Sequence, residues 1–92
     1  MSYVGAEIKV SGTVQGVGYR YFCLKEAKKL NLVGWVKNLP DSSVYILVEG
    51  GKNSINNFCE ALKKGPQLAL VKNVSCSFLS ELQHFNTFEI KY

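Results

Sequence analysis

The sequence predicts an α+β fold of the ferredoxin-like split βαβ kind, an antiparallel sheet with two helices on one face. Three observations carry this: segments alternating apolar and polar residues recur along the chain, two segments with helical apolar spacing interrupt them, and the order is β, α, β, β, α, β plus a small last strand. Helices with an apolar stripe on one side only call for a sheet that is covered on one face. The 92 residues suffice for one core and no second lobe, so residues 1–92 are a single domain with any site built on one of its faces. Hydrophobic residues make up 47% and charged residues 20%, a globular composition that argues against disorder.

The first strand runs from Ala6 to Thr13, where Ile8 and Val10 alternate with Lys9 and Ser11. A glycine-rich loop follows. From Tyr21 to about Leu30, Cys23, Ala27 and Leu30 form an apolar stripe with Phe22 beside it, while Lys25, Lys28 and Lys29 take the other face, which predicts a helix ending near Asn31. Val33–Asn38 is rich in β-formers and holds Trp35, a residue expected in the core or packed on a sheet face. Leu39-Pro40-Asp41-Ser42-Ser43 is turn chemistry, and Val44, Ile46 and Val48 resume the alternation up to Glu49, so the two strands form a hairpin.

Gly50-Gly51 is expected to break that strand, and Asn53 or Ser54 to cap a second helix on which Ile55, Phe58, Cys59 and Leu62 keep the i, i+3, i+4, i+7 spacing. Gly65-Pro66 ends it. Leu68–Leu79 forms a strand around Val71, Val74 and Phe78, and Thr87–Tyr92 a short last one around Phe88 and Ile90.

The loop Gly12-Thr13-Val14-Gln15-Gly16-Val17-Gly18-Tyr19-Arg20 is the candidate site. Glycines at a helix N-terminus expose successive backbone N–H groups where the helix dipole favours an anion, and Arg20 adds a planar, permanently charged fork suited to phosphate oxygens. Neither a Lys-Ser/Thr pair nor the spacing of a dinucleotide fingerprint is present. The predicted topology allows Asn38, at the end of its strand, to face the space above this cradle.

An arginine and an asparagine constrain the reaction, because neither is a general base. A phosphate ester expels a poor alkoxide and wants an acid, a metal or a covalent nucleophile. A mixed anhydride of phosphate and a carboxylic acid expels a carboxylate whose conjugate acid has a pKa of about 4. Charge stabilisation by Arg20 and loop amides, with Asn38 orienting water for in-line attack, would then suffice.

Eleven basic and seven acidic side chains leave a formal charge of +4, which draws small anions; the lysines are spread rather than clustered, so no nucleic-acid partner is expected. Cys23, Cys59 and Cys76 fit no metal spacing and are expected as reduced thiols, with Cys23 and Cys59 on apolar helix faces. Met1–Gly12 lacks the pattern of a signal peptide and no segment approaches a membrane span, which makes the expected location cytoplasmic. His84 lies in a polar loop without a partner motif and is expected to be solvated.

The loop motif, then Gly34-Trp35-Val36-Lys37-Asn38, Val44, Glu49-Gly50, Gly65-Pro66 and Phe88-Glu89-Ile90, together resemble the acylphosphatase family across nearly the whole chain. The resemblance implies hydrolysis of small acyl phosphates to a carboxylate and inorganic phosphate, without metal or other cofactor, by a monomer. It gives Arg20 the phosphate-binding role and Asn38 the water-orienting role, with backbone amides of Gln15, Gly16, Val17, Gly18 and Tyr19 completing the phosphate site. One departure is visible: the family usually has Asp-Gly in the hairpin, and this chain has Asp41-Ser42, which strains the turn by roughly 1 kcal/mol or changes its type.

Two other function classes share parts of this pattern. An RNA-binding module has the same topology, and Gly18-Tyr19-Arg20-Tyr21-Phe22 has a superficial likeness to its aromatic segment, which in that module lies on a central strand. Salt-dependent binding of single-stranded RNA would mark it. A noncatalytic phosphate sensor would bind acyl phosphate and release no phosphate from it.

Overall fold

The alternating segments hydrogen-bond into one five-stranded sheet in the computed structural model, which describes residues 3–92. In chain order the elements are β1 (Tyr3–Thr13), α1 (Tyr19–Lys29), β2 (Val33–Asn38), β3 (Val44–Gly51), α2 (Lys52–Lys64), β4 (Leu70–Leu79) and β5 (Phe88–Lys91). The sheet order is β4-β1-β3-β2-β5, with β1 and β3 central as a split βαβ unit requires.

Register decides which side chains meet. Ile8 pairs with Ile46 and Ile46 with Val36; Ala6 pairs with Val48, and Val10 with Val44. Paired residues share a face, and all seven are fully buried beneath the helices. Against them α1 sets Tyr19, Cys23 and Ala27, and α2 sets Ile55, Phe58, Cys59 and Leu62. Each buried Val, Ile, Leu or Phe contributes about 1.5–3 kcal/mol relative to exposure. The opposite face carries Glu7, Lys9 and Lys37, with Trp35 and Tyr45 half-buried against each other, ring centroids 5.5 Å apart. Trp35 is therefore sheet-face packing.

The sheet is mixed, not wholly antiparallel as the alternation suggested. β5 runs parallel to β2, with Gly34 opposite Phe88 and Val36 opposite Ile90. β4 lies at the far edge, so residues 80–87 must cross one end of the sheet before β5 can form, and a crossover of this kind delivers a parallel strand. Glu49 holds the crossing. Its carboxylate, 2% exposed, accepts backbone N–H bonds from Gln83, His84 at 3.0 Å and Phe85 at 3.3 Å. His84 is exposed, and its ring has no part in this anchor.

Two boundaries differ from expectation for local reasons. Gly50 and Gly51 stay in β3, opposite Val4 and Tyr3, and the glycine at 50 answers to close packing instead of a break, since a Cβ there would stand 2.3 Å from Leu32 Cδ2. α2 then starts at Lys52 directly from Gly51, with no side-chain cap from Asn53 or Ser54. Cys23 and Cys59 are buried, Cys76 is half-buried, and all three are free thiols. Burial, then the hydrogen bond with Cys76, pushes the Cys59 thiol up to about 12, and burial raises Cys23 as well. No helix of the described residues is long and apolar enough to cross a membrane.

Candidate active site

Val10, Val44 and Asn38 form one cross-strand row, and the chain leaves β1 for the glycine-rich loop just beyond that row. Asn38 and the loop are thus delivered to the same end of the sheet. α1 begins at Tyr19, earlier than its apolar stripe indicated, so Arg20 lies in the first helical turn. Gly16 (φ 75°) and Gly18 (φ 77°) adopt left-handed backbone, and an ideal Cβ on either would meet no atom within 4 Å. Their glycine character answers to conformation and to the open space in front of them.

Gly18 is the N-cap of α1 without a side-chain cap, and no acidic residue occupies the first turn. The first bond of the helix runs from the Phe22 N–H to the Gly18 carbonyl at 3.0 Å. Amides before Phe22 have no intrahelical acceptor, and the positive end of the dipole lies there. A cavity of about 180 Å³ opens at this point, lined by Gly16, Gly18, Tyr19, Arg20 and Asn38, with Val14, Tyr21, Ile90 and Tyr92 around them.

Arg20 is half-buried, and no carboxylate side chain of the described residues forms an ion pair with it. Its guanidinium carbon lies 4.8 Å from the centroid of the Tyr92 ring, and Nη1 is 3.5 Å from the Lys91 carbonyl, the outer limit of a hydrogen bond. The end of β5 therefore steers the fork while most of its five N–H donors stay available. Asn38 Oδ1 is buried without a hydrogen-bond partner. A buried acceptor in that condition is costly unless it serves a ligand or water.

The other predicted site residues are placed differently. The Gln15 side chain turns to the hairpin after Asn38, its Nε2 donating to the carbonyls of Leu39 (2.8 Å) and Ser43 (2.9 Å). Val17 packs against the core. The Tyr19 ring is buried, its hydroxyl donating to the Leu62 carbonyl at 2.6 Å, and burial raises its pKa far above the usual tyrosine value.

Sequence reasoning missed what holds the hairpin. Leu39 N–H bonds the Ser43 carbonyl at 2.9 Å, and Ser42 takes φ 76°, a positive value that glycine adopts more easily than serine. Asp41 accepts bonds from the Ser43 hydroxyl and amide and pairs with Lys9 at 2.9 Å. The Ser43 hydroxyl, then the Lys9 ammonium, hold the Asp41 carboxyl well below the usual carboxylate range. An Asp accepting from the amide two residues on is a turn signature that Asp41-Ser42-Ser43 did display.

The acylphosphatase family model matches residues 6–90. The chain belongs to the acylphosphatase family. It is 44% identical over 89 residues to an acylphosphatase of Archaeoglobus fulgidus, covering 97% of this chain and 99% of that protein. The crystal structure of the Bacillus subtilis acylphosphatase superposes with a TM-score of 0.94 at 43% identity, covering 97% and 99% of the two chains. An acylphosphatase from Coxiella burnetii gives 0.92 at 35% identity over 97% and 93%. Membership in the acylphosphatase family makes this chain an enzyme that hydrolyses acyl phosphates. The shared fold is the α+β sandwich described above.

Proposed function

We propose that the loop amides between Gln15 and Arg20, with the Arg20 guanidinium, bind the phosphoryl group of a small acyl phosphate, and that Asn38 orients the attacking water. The observation that carries this is one cavity lined by Gly16, Gly18, Arg20 and Asn38, where no carboxylate side chain of the described residues pairs with the guanidinium and the Asn38 carbonyl oxygen is buried without a partner. Asn38 Oδ1 accepts a bond from water. That water attacks phosphorus in line, the P–O bond to the acyl group breaks, and the bond pair leaves on a carboxylate.

No side chain lining the cavity carries a carboxylate, an imidazole or a thiol. Water's proton therefore passes to a phosphoryl oxygen or solvent, and the leaving carboxylate, with a conjugate-acid pKa of about 4, needs no proton. Arg20 and the amides work by spreading the charge that develops on the equatorial oxygens. The same reading takes the protein as a cytoplasmic monomer without a metal or a nucleic-acid partner. Release of inorganic phosphate from acetyl or benzoyl phosphate, unchanged by EDTA, is expected; binding without release would show a sensor instead.

A further inference from the structure

The geometry points to Gln15 as a positioning residue for Asn38, an inference that rests on the water-orienting role proposed above. Gln15 sits in the phosphate loop, yet its amide nitrogen spends both hydrogens on the hairpin, on the carbonyl of Leu39 next to Asn38 and on that of Ser43 where the hairpin returns. An NH₂ group has two donors, and both bonds, at 2.8 and 2.9 Å, are of normal length. Loop and hairpin are thereby fixed to each other by one side chain.

The hairpin needs such a tie. Ser42 holds it in left-handed backbone that a serine disfavours. Its remaining anchors, Asp41 with Ser43 and with exposed Lys9, brace the turn tip and not Asn38. Leu39 is bonded on both sides, its N–H to Ser43 and its carbonyl to Gln15 and to the Ser42 amide at 3.2 Å. The peptide that follows Asn38 is therefore located relative to the phosphate cradle, and with it the distance from Oδ1 to phosphorus.

The test is a double-mutant cycle on kcat and KM for acetyl phosphate. Gln15→Met keeps the length and removes the donors. We expect kcat to fall about 10- to 100-fold with KM and the inhibition constant of inorganic phosphate changed less than about twofold, since small misplacements of a reacting group cost that much. In an Asn38→Ala background the same substitution should change kcat by less than about twofold, because coupled residues are not additive.

An undiminished fall in that background, an unchanged kcat in Gln15→Met, or a loss expressed mainly in phosphate binding would each overturn the inference. Gln15→Glu, which keeps the shape but sets acceptors against two carbonyls, should show the same kcat-selective loss and decides the matter if the Met variant does not fold. Should Asn38→Ala alone retain ordinary kcat, it is the underlying function that fails, visible before any Gln15 variant is made.

Discussion

Arg20 presents a planar fork that no carboxylate side chain of the described residues competes for, and this shapes what its replacements do. Arg20→Ala should abolish nearly all turnover, and Arg20→Lys should not restore it, because one ammonium cannot reproduce bidentate contact. Asn38→Ala should lower kcat by about 10²- to 10³-fold with a smaller change in KM, as expected for an interaction made in the transition state. Steady-state kinetics on acetyl phosphate check both. Ser42 offers a stability counterpart: at φ 76°, Ser42→Gly should relieve about 1 kcal/mol and raise Tm by roughly 4 to 8 °C in thermal unfolding. That Arg20 and Asn38 line one cavity and that Ser42 takes a positive φ was legible in the sequence, since each sits in a motif or departs from one. The Gln15 contacts were not, because a side chain reaching 24 and 28 residues along the chain leaves no periodic trace.

At the level of elements, the site depends on how α1 begins. A left-handed Gly18 cap, a first turn without an acidic side chain and Gly16 beside open space leave the helix end suited to an anion. Gly16→Ala should therefore act in two ways, costing about 1 kcal/mol of stability through its positive φ and raising KM through a methyl group at the cavity wall. Gly16→Ala with unchanged KM would mean that the loop does not carry substrate. Strand and helix identities followed from spacing, as the burial of Ile55, Phe58, Cys59 and Leu62 illustrates. Strand direction did not: Phe88 and Ile90 alternate equally well in either orientation, and it is the Glu49 anchor on residues 83–85 that routes β5 parallel to β2.

For the molecule as a whole, the sheet carries the proposed site at one end and the Glu49 anchor at the other. Asp41 links the site's hairpin to global stability. The folded chain holds its carboxyl below the ordinary value, so near pH 4 the unfolded chain binds more protons, and this stabilisation is full above about pH 4 and is lost as pH falls toward the folded pKa. Asp41→Asn should flatten the decline of Tm with acid below about pH 4; the effect is limited because Asp41 is exposed. Single-sided coverage of the sheet was legible from the helical stripes, whereas the cavity needed Lys91 and Tyr92, which reach Arg20 only after the crossover.

Inorganic phosphate titrated into ¹⁵N-labelled protein reports on the cradle itself. The backbone amides from Gln15 to Arg20 should shift together and saturate, Arg20→Ala should abolish the response, and Asn38→Ala should leave it nearly intact. Shifts confined to other segments, or a response that survives in Arg20→Ala, would contradict a phosphoryl group held by loop amides and one guanidinium.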